Sequence, residues 1–85
     1  MAFSVIKYPL ATEKSIRLME SENKLIFVVE RRATRQEVKK DVESTFNVRV
    51  LKVNTMIDVS GNKRAYVKLS SETPAIDIAT DLGLI

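Results

Sequence analysis

The run Leu25-Ile26-Phe27-Val28-Val29 constrains the fold of this chain more than any other segment. All of its residues are apolar, and most are β-branched or aromatic, which is typical of a β-strand. Successive side chains of a strand point to opposite faces of the sheet. We therefore expect a central strand whose sheet carries helices packed on both faces.

A helix is expected soon after this strand. Thr34 and Glu37 have the spacing of a capping box, in which each side chain pairs with a backbone donor at the helix start. Asn47 suits the left-handed residue that ends a helix. We predict a helix from about Arg35 to Phe46 with Val38, Val42, Thr45 and Phe46 facing the core, and with Arg35, Lys39, Asp41 and Glu43 facing solvent.

The other elements follow from local signals. Pro9 ends a first strand over Phe3–Tyr8, and Thr12 caps a helix that runs to about Glu20, before a polar turn at residues 21–23. Residues 48–70 are predicted to form a β-hairpin, in which a shift of apolar alternation between Val50 and Leu51 indicates a bulge or partial cover on both faces. Thr73 is expected to cap a last helix that ends near Asp81, with Pro74 at its first position.

The element order β-α-β-α-β-β-α predicts an α+β fold. With 85 residues, the chain is expected to be a single domain over residues 1–85. We expect a four-stranded, mostly antiparallel sheet with helices packed on both faces, of the ferredoxin-like, split βαβ type.

The residues that the chain lacks argue against several classes of function. It has no cysteine, histidine or tryptophan, so disulfides, thiolate metal sites and histidine acid–base chemistry are excluded. We expect no enzyme activity, cofactor, metal or small-molecule substrate. No run approaches the roughly 20 apolar residues that cross a bilayer, and we expect a cytoplasmic protein without membrane insertion.

The charge is distributed unevenly along the chain. All 14 Lys and Arg lie within residues 1–70, whereas the last 15 residues carry Glu72, Asp77 and Asp81 and no cation. A basic body of this kind is the expected electrostatic footprint of a polyanion-binding protein.

Two segments are candidates for binding RNA. Near the start of the chain, we expect Lys7, Lys14 and Arg17 to neutralise phosphates, Thr12 and the helix-start amides to fix the register, and Tyr8 to stack on a base or sugar. In the hairpin, the predicted RNA-binding residues are Lys52, Asn54, Thr55, Lys63, Arg64, Tyr66 and Lys68.

Each candidate has an alternative explanation. The first segment also fits a proline-ended strand with ordinary surface lysines, and the hairpin fits an edge protected from aggregation by lysines. Residues 63–69 partly match the signature of the RNA-recognition motif, with Tyr66 as a stacking platform for single-stranded RNA. A protein-interaction module without RNA also fits, and the second basic patch, Arg31, Arg32, Arg35, Lys39 and Lys40, is typical of a solvated helix face.

Three stretches in this order resemble the universal large-ribosomal-subunit protein twenty-three family. They are Lys7-Tyr8-Pro9-Leu10-Ala11-Thr12-Glu13-Lys14-Ser15, then Ala33-Thr34-Arg35-Gln36-Glu37-Val38-Lys39 leading to Phe46-Asn47-Val48, and finally Val53-Asn54-Thr55 followed by Lys63-Arg64-Ala65-Tyr66-Val67. Bacterial members carry a long hairpin extension that reaches into the exit tunnel, whereas only residues 58–62 separate the two strands here. This short turn and the ending Leu82-Gly83-Leu84-Ile85 resemble the archaeal form.

The resemblance implies a structural component of the large ribosomal subunit. Such a protein binds large-subunit ribosomal RNA near the polypeptide exit, beside ribosomal protein twenty-nine. It also helps to form a docking site for factors that meet the nascent chain, including the signal recognition particle and, in bacteria, trigger factor. Glu13 matches the family's exposed glutamate, for which the resemblance implies docking of a protein partner.

Overall fold

The computed structural model describes residues 4–84 and confirms the predicted succession of elements. In chain order they are β1 (Ile6–Pro9), α1 (Glu13–Glu22), β2 (Lys24–Val29), α2 (Arg35–Phe46), β3 (Val50–Ile57), β4 (Lys63–Leu69) and α3 (Ala75–Asp81). Phe3, the predicted first residue of β1, and Ile85 lie outside the described residues. Ser21 and Glu22 belong to α1 rather than to the predicted turn, because the helix ends only where Asn23 turns left-handed.

The four strands form one antiparallel sheet in the order β1-β2-β4-β3, which confirms the α+β class. The split βαβ type is also confirmed, because α2 connects β2 to β3 and β4 lies between these two strands, both of which are antiparallel to β4. The remaining strand, β1, is the antiparallel neighbour of β2 at the edge of the sheet. The predicted irregularity near Val50 and Leu51 is a register shift between Val50 and Lys52, so the bulge is confirmed.

The expectation of helices on both faces needs correction. Buried side chains of all three helices join one hydrophobic cluster with Leu25, Phe27 and Val29, whereas Ile26 and Val28, on the other face of β2, lie outside this cluster. The register sets Ile26 beside Tyr66, and it sets Val28 beside Tyr8 and Arg64. These three neighbours lie on β1 and β4 and have long side chains. These side chains, rather than a helix, shield the second face of β2.

Both long helices begin with a capping box. In α2 the Thr34 oxygen accepts from the Glu37 amide at 3.1 Å and the Glu37 carboxylate accepts from the Thr34 amide at 2.9 Å, so the predicted cap and both ends of α2 are confirmed. In α1 the partner of Thr12 is Ser15, whose hydroxyl accepts from the Thr12 amide at 2.8 Å. Asn47 is left-handed at the end of α2, as predicted.

Asp41 was predicted to face solvent but is buried. Its carboxylate accepts hydrogen bonds from the backbone amides of Ser4, Val5 and Ile6 at 3.0–3.2 Å. The fold thus uses this carboxylate to hold the chain that enters β1 against α2. Glu43 is half-buried and accepts from the Val50 amide at 3.1 Å, which ties the other end of α2 to β3.

The cap of α3 also differs from the prediction. Pro74, not Thr73, is the residue that precedes the helix, and it supplies no side-chain hydrogen bond. The cap comes from Asn23, whose side-chain oxygen accepts from the Ala75 amide at 2.6 Å. Its amide nitrogen donates to the carbonyls of Leu69, Ser70 and Thr73 at 3.1–3.2 Å, so one side chain joins the end of α1 to the start of α3.

The helices are too short for a membrane. Among residues 4–84, no helix is both long and apolar enough to span one.

Candidate nucleic-acid interface

The sheet face that points away from the helices carries a basic and aromatic surface. Residues paired across antiparallel strands share a face, and Leu25, Phe27 and Val29 face the helices. The opposite face, here called the open sheet face, therefore consists of Tyr8, Lys24, Ile26, Val28, Lys52, Asn54, Met56, Arg64, Tyr66 and Lys68.

Three lysines form a row across the open sheet face. Lys68 on β4 is paired with Lys24 on β2 and with Lys52 on β3, so the row spans about 10 Å at the usual strand spacing. The Lys24 ammonium contacts the Glu22 carboxylate at 3.1 Å, and within the described chain neither Lys52 nor Lys68 has an ion pair. Directly opposed like charges destabilise a sheet, so an anion bound across the lysine row would relieve this repulsion.

The centre of the open sheet face is less charged. Tyr66 is paired with Ile26 on one side and with Asn54 on the other, and Tyr8 on the edge strand is 49% exposed. An amide and two phenol rings offer hydrogen bonds and flat apolar surfaces next to the lysine row. Such groups suit the sugars and bases of RNA.

Arg64, at the other end of the face, is held by the hairpin turn. Its Nε contacts Asp58 Oδ2 at 3.0 Å, and Asp58 Oδ1 accepts from the Ser60 and Asn62 amides at 2.9 and 3.0 Å. Desolvation acts to raise the pKa of Asp58, but the two amides and the Arg64 guanidinium outweigh it and hold the pKa below its usual range. The charged carboxylate fixes Arg64 through Nε and leaves the terminal guanidinium nitrogens for a ligand.

Two predicted hairpin residues lie on the other side of the sheet. Lys63 is paired with Val29 and Thr55 with Ala65, so both face the helices. The Lys63 ammonium donates to the carbonyl of Ala33 at 2.7 Å. Lys63 therefore braces the loop before α2, and the structure does not bring it or the half-buried Thr55 to the open sheet face.

The predicted residues of the N-terminal segment are also separated. Of that group, the register places Tyr8 on the open sheet face, and the exposed Lys7 occupies the register shift between Ile6 and Tyr8. Lys14 is exposed on α1. Thr12 caps the same helix, and its oxygen is already paired with the Ser15 amide at 3.2 Å.

The predicted docking residue Glu13 lies at the start of α1. Its carboxylate contacts the guanidinium of Arg17, one turn further along the helix, at 2.9 Å, and both side chains are more than three-quarters exposed. An exposed pair of this spacing stabilises a helix by only about 0.3–0.5 kcal/mol. Glu13 and Arg17 are thus both accessible to a partner.

Sequence reasoning missed Lys24 and Met56 on the open sheet face. The alternation of Lys24, Ile26 and Val28 along β2 was the available signal for Lys24. What it does not show is that β2 pairs with β4, which sets Lys24 directly against Lys68. Within residues 4–84, no group of three or more His, Cys, Asp or Glu is placed to hold a metal ion.

The sequence also matches known proteins. Residues 4–78 match the family model described as ribosomal protein L23. The chain is 46% identical over 83 residues to the large ribosomal subunit protein uL23 of Methanococcus vannielii, and the match covers 98% of this chain and 96% of that protein. It is 45% identical, with the same coverage, to the large ribosomal subunit protein uL23 of Methanococcus aeolicus.

Proposed function

This chain belongs to the ribosomal protein L23 family, whose members are structural proteins of the large ribosomal subunit rather than enzymes, and from that premise we propose that its open sheet face binds large-subunit ribosomal RNA. The observation that carries the proposal is the lysine row. Lysines that merely protect a sheet belong on its edge strands, yet Lys68 lies on the internal strand β4, between Lys24 and Lys52. A phosphate backbone bound across the row offsets the repulsion between the three ammonium groups.

The rest of the open sheet face supports RNA as the ligand. Tyr8, Asn54 and Tyr66 supply stacking surfaces and hydrogen-bonding groups between the lysine row and Arg64. Backbone and 2′-hydroxyl contacts of this kind recognise RNA by shape. Phosphate contacts supply the affinity and fix the register of the protein on its RNA.

Replacing the lysine row with glutamine (Lys24→Gln, Lys52→Gln and Lys68→Gln) should weaken RNA binding without weakening the fold. Each lost phosphate contact should reduce the slope of log affinity against log salt by about 0.7–0.9. Three lost contacts then lower the affinity by about two orders of magnitude near 0.15 M salt. The measurement is a salt titration of binding to transcripts that tile an archaeal large-subunit rRNA.

The matched control removes three exposed cations that lie outside the four strands (Lys39→Gln, Lys40→Gln and Arg49→Gln). It should leave the slope almost unchanged, because it loses the same charge but no proposed contact. Urea denaturation of both variants should show unchanged or slightly increased stability for the lysine-row variant, since opposed like charges are removed. Equal effects of the two triple variants on the slope would count against the open sheet face as the RNA site.

We further propose a position near the polypeptide exit, beside ribosomal protein twenty-nine. This proposal rests on the three sequence stretches, quoted in the sequence analysis, that resemble the family. Only residues 58–62 connect β3 to β4, so the proposal includes no hairpin extension inside the tunnel. The expected result is a cross-link between this chain and ribosomal protein twenty-nine in reconstituted large subunits that have been washed with high salt. Cross-links to distant proteins alone would contradict this position.

Glu13 is proposed as a docking residue for a nascent-chain factor. Replacing it with glutamine should weaken binding of the signal recognition particle to large subunits that contain this chain, while incorporation into the subunit stays normal. Arg17→Gln is the matched control, since it breaks the same ion pair and leaves the carboxylate in place. If both variants bind the particle as the parent chain does, Glu13 has no docking role.

A further inference from the structure

Three exposed arginines lie just after β2 and at the start of α2. Arg31, Arg32 and Arg35, here called the arginine corner, are all exposed, and no ion pair in the described part of the chain involves them. The neighbouring carboxylates along the chain are only Glu30 and Glu37, and Glu37 accepts from the Thr34 amide in the capping box. The corner therefore keeps a local excess of positive charge.

The backbone that carries the arginine corner is fixed by other groups. The Lys63 ammonium donates to the carbonyls of Ala33 and Arg31 at 2.7 and 3.4 Å, and the Ala33 amide donates to the Glu30 carbonyl at 3.0 Å. The capping box already pairs the amides of Thr34 and Glu37. The box does not use the amides of Arg35 and Gln36, so an anion at this corner would be held by the guanidinium groups together with these two helix-start amides.

The hairpin turn joins the arginine corner to the open sheet face. A Cβ at Gly61 would lie 3.7 Å from a terminal nitrogen of Arg31. The same turn contains Asp58, which holds Arg64 on the open sheet face at 3.0 Å. Arg31 and Arg64 therefore lie on two sides of one short turn, and a basic surface continues from the open sheet face round the end of the sheet.

We propose that the arginine corner is a second phosphate-binding surface for the same ribosomal RNA, which continues from the open sheet face round the hairpin turn. This inference rests on the proposed function. Continuity with the open sheet face favours RNA over an acidic protein, because one polyanion reaches both surfaces. Planar guanidinium groups also bind phosphate through two parallel hydrogen bonds, as lysine does not.

The test replaces the arginine corner with glutamine (Arg31→Gln, Arg32→Gln and Arg35→Gln) in the full chain. If all three arginines contact phosphates, the slope of log affinity against log salt should fall by about 2 to 3 for archaeal large-subunit rRNA transcripts. The control is again the triple variant Lys39→Gln, Lys40→Gln and Arg49→Gln. Circular dichroism confirms that each variant is folded before titration.

A second measurement locates the RNA directly. Because the chain has no cysteine, Gln36→Cys gives a single attachment point for an iron–EDTA probe beside the corner, and Thr80→Cys gives one on the exposed side of α3, away from both proposed surfaces. Hydroxyl radicals from position 36 should cut bound RNA strongly, and those from position 80 should cut it weakly.

The two proposals fail in different ways. A slope that falls only for the lysine-row variant, with no cleavage from position 36, would confine RNA to the open sheet face and overturn the arginine corner alone. Equal slopes for the corner and control variants would also overturn it. If the parent chain binds no large-subunit transcript, the proposed function fails and the inference falls with it.

Discussion

Replacing Phe27 with alanine should lower the free energy of unfolding by about 3–5 kcal/mol. Phe27 has no exposed surface, and its ring stacks on Phe46 of α2 with centroids 6.3 Å apart. It lies at the centre of β2, which pairs with β1 and β4 and packs against α1 and α3. The loss is a large share of the stability of so small a domain.

Urea denaturation measures this loss, and Leu51→Ala is the matched control. Leu51 is also a large apolar residue in a strand, but it is 55% exposed, so its replacement should change stability by no more than about 0.5 kcal/mol. Similar midpoints for Phe27→Ala and the parent chain would show that the cluster around Phe27 does not hold the fold together.

Replacing Asn23 with alanine should cost about 2–4 kcal/mol, although Asn23 is only half-buried and polar. The variant loses the hydrogen bond to the Ala75 amide and those to the carbonyls of Leu69, Ser70 and Thr73. It must also place alanine in the left-handed conformation, at φ 55°. Both effects act on the junction between α1 and α3.

Asn23→Gly separates the two causes, because glycine adopts left-handed geometry without strain. This variant should be more stable than Asn23→Ala by about 1 kcal/mol, but still less stable than the parent chain. Hydrogen exchange should show faster opening of α3 in both variants. Protection of α3 equal to that of the parent chain would show that Asn23 is not its cap.

The sequence predicted elements whose signals lie close together in the chain. The capping box of α2, its bounds and its Asn47 end were correct because the interacting residues are three or a few positions apart. The bulge near Leu51 was visible for the same reason, as a break in local alternation. The cap of α1 was only half predicted, since Thr12 was identified and its partner Ser15 was not.

The candidate site was predicted in part. Alternation along β4 separated Arg64, Tyr66 and Lys68 from Ala65, Val67 and Leu69, and the structure confirms that division. The same alternation puts Lys63 on the face of Ala65, the helix side, where its ammonium binds the Ala33 carbonyl, yet Lys63 was grouped with the RNA-binding residues because of its charge. The alternation could not place Lys24 beside Lys68, because strand pairing depends on contacts between residues far apart in the chain.

Asp41 and the second face of β2 show the same limit. A carboxylate on an amphipathic helix is ordinarily solvated, and only the approach of residues 4–6 makes its burial favourable. Likewise Ile26 and Val28 are apolar enough to expect a covering helix, but large side chains from β1 and β4 shield them instead. In both cases the deciding partner comes from another element.

The sequence by itself determined the order of strands and helices, the basic character of the chain and the family to which it belongs, because these depend on local spacing and composition. The tertiary structure alone decided the strand order, the single helical layer and the face on which each cation lies. The physical reason is that strand register is a long-range choice, and a shift of one residue moves every side chain to the opposite face. That register is what gathers Lys24, Lys52 and Lys68 into one row.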